Sequence, residues 1–438
     1  MAATPDASLP KQCGSWPELK AGYRLLNHKA VDPHAIQQPH RRLTHQCCGG
    51  HPMILCVQDD TALSFNHRGP VRGLGRLNDG GQGLIQHTTL AVLPDGGLLG
   101  VLDQRWFTRV EAGIHETRRQ RHRRWRETQV WSDAVGAVGR PPANTRFIHV
   151  MDRAGDSLET IAACRETGVG FVIRARHDRR VNGGEANLWS QLLTSPVADR
   201  TCVKVTAQRG GRGPIKRRGR TAKVSIRFQT VQLEPPWNHP GPSQPESVWA
   251  ISVHEDRPPA DGEPIDWLLL TSEAVSTVAD AQRIIGWYQH RWVIEEYHRV
   301  EKEGCRLEAS QLDDAKDIER LASIIGVISV RLLQLRDLAG SGEPSRSAAS
   351  GSADPQRLRR VVPMLWIEVV AGLAQVDAEG LTPRQFWHAI ARQGGWLARR
   401  SDGRPGWKVI WRGWYDVQNM VAGAALMRTR DRRPRDCG

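Results

Sequence analysis

The segment 288–302, YQHRWVIEEYHRVEK, constrains the chain more than any other. At roughly 100° per residue, Tyr288, Arg291, Glu295 and Lys302 fall within about 60° of one another on a helix, while Val293, Ile294, Tyr297 and Val300 take the opposite side. The spacing predicts a helix with a buried back and a front that offers one carboxylate among two cations and a phenol. Such a front suits a metal and a phosphate together. It also fits an ordinary amphipathic surface helix, in which Arg291–Glu295 and Glu295–Arg299 are i,i+4 pairs contributing roughly a few tenths of a kcal/mol each.

Phosphoryl chemistry needs more than one carboxylate, because a two-metal site bridges several acidic side chains. Strand ends are where the partners are expected. MILCVQ at 53–58 reads as a buried strand ending at Asp59–Asp60, and FIHVM at 147–151 as another ending at Asp152. Each also has a plain structural reading: Asp59 as the start of a turn, Asp152 as a cap, Glu295 as a surface residue.

Around these strands, SWPELKAGYRLLNH predicts a helix, and GLIQHTTLAVL and LLGVLDQRWF, joined by P-D-G-G at 94–97, predict a hairpin beside the first strand. Asp156 is the expected N-cap of a helix carrying Leu158, Ile161 and Cys164, before FVIRAR at 171–176 resumes a strand. The alternation predicts a mixed α/β sheet. From 185 to 265 the pattern turns to β runs between Gly-, Pro- and Arg-rich turns, read as an inserted β subdomain. WLLLTSE at 267–273 and a helix around LASIIGVISVRLLQL follow. AGSGEPSRSAASGSADP at 339–355 has the composition of a flexible linker, and 356–426 is helical before a basic tail.

The formal net charge of +14 over 438 residues favours a polyanionic partner, nucleic acid first. Two basic stretches, ETRRQRHRRWRE at 116–127 and 204–220 with Arg209, Arg212, Lys216, Arg217, Arg218 and Arg220, are expected to add to a DNA-facing balance or to be solvated turns. Sixteen Trp against six Phe and four Tyr supply core filler or base-stacking platforms. Eight Cys in no repeated CxxC pattern point to a reduced, cytoplasmic compartment, and the apolar runs are too short to cross a bilayer. His40, His45, Cys47, Cys48 and His51 cluster in sequence, but their spacing fits no standard zinc pattern.

The spacing Y-x2-R-x3-E-x6-K, with R-W-x-I-E-E at 291–296, resembles the signature of bacterial cut-and-paste DDE transposases of insertion sequence family four. VQDDTALSF at 57–65 looks like the first-aspartate motif of that family and VMDRAGD at 150–156 like its second. SWPELKAGYRLL, GLIQHTTLAVL, WLLLTSE, RLLQLRDLA and GWKVIWRGW are similar to family segments in the same order. The resemblance implies a ribonuclease H-like mixed-sheet core in two parts, 51–184 and 266–338, interrupted by the β insertion at 185–265. A remnant of a helical DNA-end-binding region would occupy 1–50, and a helical dimerisation region with its tail 356–438.

It further implies that Asp59, Asp152 and Glu295 bind two Mg²⁺ or Mn²⁺ ions, with Tyr288, Arg291 and Lys302 on phosphates near the cleaved end. Trp267 would stack on a flipped base and Arg174 would contact DNA, although a core tryptophan and a strand-end salt bridge are the plain alternatives. The implied activity is nicking, hairpin formation, hairpin opening and insertion of double-stranded DNA ends into a target by a homodimer. Two features depart from the family pattern. Asp60 follows the first aspartate where Thr is usual, and much of the N-terminal end-reading region is expected to be missing. The second departure admits an alternative function, a truncated, catalytically defective transposase acting as a dimerising regulator.

Overall fold

The computed structural model describes residues 7–13, 15–109, 117, 124–205, 208–209, 215–217, 219–235, 244–257, 264–338, 355–359, 362–399, 402 and 405–431. Helices α1 (Trp16–Asn27) and α2 (Pro33–Cys48) precede strands β1 (Met53–Ser64), β2 (Gln82–Val92) and β3 (Leu98–Phe107). Helix α3 (Gln129–Val138), β4 (Arg146–Met151), α4 (Leu158–Thr167) and β5 (Gly170–Arg174) come next. Then follow α5 (Leu188–Thr194), β6 (Asp199–Val205), β7 (Arg220–Leu233), β8 (Glu246–Glu255) and β9 (Asp266–Thr271). The later elements are α6 (Val278–Gln289), α7 (Trp292–Arg299), α8 (Ala315–Leu338), α9 (Met364–Ala374), α10 (Pro383–Gln393) and α11 (Trp407–Asp431).

The long strands form one mixed sheet in the order β3-β2-β1-β4-β5-β9-β8-β7-β6. β4 runs parallel to β1 and β5 parallel to β4, and the remaining neighbours are antiparallel. Helix α4 makes the crossover that a parallel β4–β5 pair requires. This is the mixed α/β sheet that the alternation of strands and helices predicts. Because alternate residues of a strand face opposite sides, β1 is apolar on both. Ile54 and Cys56 pack with Trp131 of α3 and Ile161 of α4, whereas Leu55 and Val57 pack with Ile284, Ile294 and Ile318 from α6, α7 and α8. Helices α9, α10 and α11 join the second of these cores, so most of the described residues after 356 are helical. Among the described residues no helix is long and apolar enough to cross a membrane.

The helix starts follow local chemistry. Ser15 accepts from the Glu18 amide ahead of α1, with Pro17 in the first turn. Thr277 and Asp280 form a reciprocal capping box at α6, as Thr382 and Gln385 do at α10. Such caps contribute about 1 kcal/mol each and set where the apolar stripe begins.

Three elements differ from the sequence reading. β1 does not stop at Asp59–Asp60: its parallel neighbour β4 ends at Met151, but β2 stays alongside as far as the Ser64–Gly83 pair. The β runs of 185–265 extend the main sheet, where β8 pairs with β9 and β9 with β5 and the backbone groups along those edges are satisfied. Asp156 does not cap α4. Ser157 does, through the Thr160 amide, while buried Asp156 accepts from the Arg176 and His177 amides and pairs with Arg179. Finally, the 288–302 segment is not one regular helix. It breaks after Gln289, resumes at Trp292 and widens into a π turn over Val300–Gly304. The widened turn brings Gly304 so close to the Trp411 ring that a Cβ would lie 2.2 Å from it. The expected linker, all but Pro355, and the tail beyond Asp431 lie outside the described residues.

Candidate active site

Asp59 continues the Leu55–Val57 alternation of β1, and Asp152 continues Ile148–Val150 of β4, so both belong to the face covered by α6 and α7. The last paired residues of these parallel neighbours are Val57 and Val150, and each aspartate stands two residues farther on. Adjacent strands lie about 4.8 Å apart, close enough for the carboxylates to feel each other. Burial pushes the Asp59 carboxyl up to about 7, with Arg291 pulling it down and Asp152 pushing it further up. Asp152 also performs the capping role, its Oδ1 accepting from the Ala154 amide at 2.7 Å.

Glu295 reaches this pair through Arg291. The Arg291 guanidinium donates to Asp59 Oδ2 at 2.8 Å with one nitrogen and to Glu295 Oε1 with another. Burial opposes its charge, but Asp59, Tyr288 and Glu295 outweigh that and hold it more firmly protonated than usual. The expected Arg291–Glu295 pair is therefore present. Arg299 instead lies over the Trp292 ring, 6.0 Å from its centroid.

The front of the helix is less open than its spacing implies. Tyr288 is buried, its ring edge-on to Trp267 at 5.3 Å between centroids, and its phenol hydrogen-bonds Arg174. Burial raises the phenol above its ordinary range, against the pull of Arg291 and Arg174. Arg174 donates to the Asp266 carbonyl at 3.0 Å, while its Nε is buried without a hydrogen-bond partner. Burial depresses that guanidinium, opposed by Tyr288 and reinforced by Arg153. Arg291 and Tyr288 thus adjoin the aspartates, with Trp267 and Arg174 packed against Tyr288. Lys302 stands farther along the segment, 3.8 Å from Glu308, and burial lowers its pKa against the pull of Glu308 and Glu301.

On the other face of β1 lies a chain of polar side chains that the sequence reading missed. Asp60 meets His87 Nδ1 at 2.5 Å, His87 Nε2 meets Gln58 Oε1 at 3.1 Å, and Gln58 Nε2 meets His149 Nδ1 at 2.6 Å. The signal was a polar residue at every second position, Gln58 and Asp60, within an otherwise apolar strand. Because neighbouring strand residues alternate, the unusual Asp60 turns away from Asp59 and is matched by His87 on β2.

Of the basic stretch at 204–220, the described side chain Arg220 is not a free cation but is paired with Glu255 at 2.7 Å. The side chains of the other arginines and lysines of that stretch, and most of 116–127, lie outside what is described. In the His/Cys cluster, His40 Nε2 accepts from the Val101 amide and His45 bonds the Arg140 carbonyl, while Cys48 is buried. Among the described residues no group of three or more His, Cys, Asp or Glu side chains is already drawn together as a metal cluster. Asp59, Asp152 and Glu295 nevertheless supply hard oxygen donors, and a cationic guanidinium joins two of them. That donor set fits a hard divalent ion.

Residues 140–330 match the family model of a transposase DDE domain, and residues 1–31 that of a transposase DNA-binding segment. The first span contains Asp152, Glu295, Arg291, Tyr288, Trp267, Arg174 and Lys302; Asp59 lies ahead of it. Among solved structures the chain is similar to a piggyBac transposase synaptic complex with hairpin DNA, with a TM-score of 0.34 and 12% identity. That match covers 77% of this chain, which spans 62% of the length of the other. Domains of the DDE class use divalent metal ions. Residues 140–330 are thus similar to a transposase DDE domain, and residues 1–31 to a transposase DNA-binding segment.

Proposed function

We propose that this chain is a cut-and-paste transposase of the insertion sequence family four type, which cuts the two ends of an element and joins them to target DNA. The observation that carries the reading is the bridge from Asp59 through Arg291 to Glu295, with Asp152 on the neighbouring strand. Two Mg²⁺ or Mn²⁺ ions held by Asp59, Asp152 and Glu295 would neutralise the phosphate and activate the attacking oxygen. Asp59, raised by its surroundings, gives up its proton most readily when positive charge is close. Arg291 then turns its bidentate fork to a phosphate oxygen.

Arg174, with an unpartnered buried N–H, and Tyr288 hold the DNA strand beside the acids. Trp267, half-buried at the start of β9, offers its ring to a base displaced near a hairpin intermediate, the step that the family resemblance implies. Lys302 contacts a phosphate farther along. Two ends are brought together by a homodimer formed through 356–438, a region in which Leu426 and Met427 are exposed apolar side chains.

The test is Mn²⁺-dependent joining of pre-cleaved element ends to plasmid DNA. Joining by the full chain that vanishes in both Asp59→Ala and Glu295→Ala is the expected result. Joining that survives either substitution sinks the assigned acids, and DNA binding without any joining sinks the enzymatic reading.

A further inference from the structure

A cavity of about 460 Å³ opens beside β3, between α2 and α3. Its walls carry four rings, His34, Trp106, Phe107 and Trp125, together with Arg41, Arg105, Asp103 and Asp133. The rings are arranged in pairs: His34 with Trp106 at 5.8 Å, and Phe107 edge-on to Trp125 at 5.0 Å. The charges are already fixed. Asp103 is buried between Arg41 and Arg105, each at 2.6 Å, and Trp125 donates its indole N–H to Asp133 at 2.9 Å.

Two guanidinium groups and two carboxylates balance, so the cavity has no excess positive charge to hold a bare phosphate. Aromatic walls with fixed donors and acceptors at their edges match instead a neutral planar ring with its own polar rim. Among biological ligands, a nucleobase has that chemistry. The position says where the base comes from. The rung Asp60–His87–Arg105 runs across β1, β2 and β3 to the cavity wall from the residue next to Asp59, on the face of the sheet turned away from the acids, a span of about 10 Å at two strand spacings. On the other side, His34 begins three residues after the matched DNA-binding segment ends at residue 31.

We propose that this cavity receives an unpaired base of the bound DNA, on the opposite flank of the acids from Trp267. The proposal rests on the DNA-acting reading above. The probe is a pair of duplexes, one with a single extrahelical 2-aminopurine and one fully paired, each titrated with the full chain in the absence of divalent metal.

The expected result is a fluorescence decrease from the extrahelical base. The exposed Trp125→Ala should weaken that duplex about tenfold while leaving the paired one within about twofold, and Trp125→Phe should restore most of the difference. Equal weakening of both duplexes, or none, overturns the pocket and leaves the transposase reading standing. Competition by free deoxyadenosine monophosphate as effective as the extrahelical duplex also overturns it, assigning the cavity to a free nucleotide. Failure of the wild-type chain to bind either duplex would remove the DNA-acting reading itself, and the pocket with it.

Discussion

Glu295 and Glu301 stand six residues apart on the same segment and are used in opposite ways. Glu295 is about one-third exposed and held by a cation that also holds Asp59, so its partner is charged, shared and able to be exchanged. Glu301 is fully buried. Its oxygens accept from Gln86 of β2 at 2.7 Å and Gln104 of β3 at 3.1 Å, and it hydrogen-bonds Tyr297. Gln104 also donates to Tyr297, and Trp106 donates to Gln86 at 2.8 Å, which ties α7 to the sheet through neutral groups. A carboxylate meant to trade partners is kept near water and beside charge. One meant to fix a helix is removed from water and matched with amides.

The largest expected effect separates the two. Glu295→Gln should lower strand joining on the order of a thousandfold or more, because a ligand charge is lost at the site of reaction. Its unfolding free energy should change by no more than about 1 kcal/mol, as for other partly exposed pairs. Glu301→Gln keeps a hydrogen-bonding group in place and should leave joining within a few-fold of wild type. If joining collapses equally in both, the division of labour between the two carboxylates is wrong.

Stability should invert the ranking. Glu301→Ala leaves the Gln86 and Gln104 amides and the Tyr297 phenol short of a partner in a buried space, a cost of about 3 kcal/mol in urea unfolding. A loss under about 1 kcal/mol would mean that the network closes without Glu301.

The same burial gives a pH dependence. Burial pushes the Glu301 carboxyl from 4.5 up to about 7, against the hydrogen bonds from Gln86, Gln104 and Tyr297 and the pull of Lys302. The folded state therefore holds this proton where the unfolded chain has released it. The stabilisation is full below pH 4.5 and is lost as pH rises through 7, on the order of 3 kcal/mol in total. Asp59, also raised to about 7, adds a loss over the same window. In unfolding measured from pH 4.5 to 8, Glu301→Gln should flatten the fall without abolishing it. A slope identical to wild type would show that Glu301 is ionised throughout.

Much of this was legible in the residue order. Leu55–Val57–Asp59 and Ile148–Val150–Asp152 each carry an apolar alternation into an acid, which already puts both carboxylates on one face of a sheet. Arg291–Glu295 is an i,i+4 pair by spacing alone. Glu301 was legible and passed over: at roughly 100° per residue it falls in the buried stripe between Ile294 and Tyr297, where a charge is a warning. What spacing could not give is the break after Gln289, or the π turn that sets Gly304 against the distant Trp411. The joining of β7 and β8 to the main sheet was equally hidden. Strand periodicity says which face is buried but not which strand lies alongside.

The smallest effect tests the far end of the segment. Lys302 and Glu308 are 3.8 Å apart and both partly exposed, a pair worth about 0.5 kcal/mol at most after screening. Glu308 has a second task, accepting from the Ser64 amide at 2.9 Å, so it stays anchored when the lysine is gone. Lys302→Ala should therefore barely move the unfolding midpoint. If the lysine reaches a phosphate, binding of element-end DNA should weaken and its dependence on log salt should fall by about one unit of slope. An unchanged salt slope together with a stability loss above about 1 kcal/mol would assign Lys302 to the Glu301 side of the comparison, as part of what holds the segment rather than what it holds.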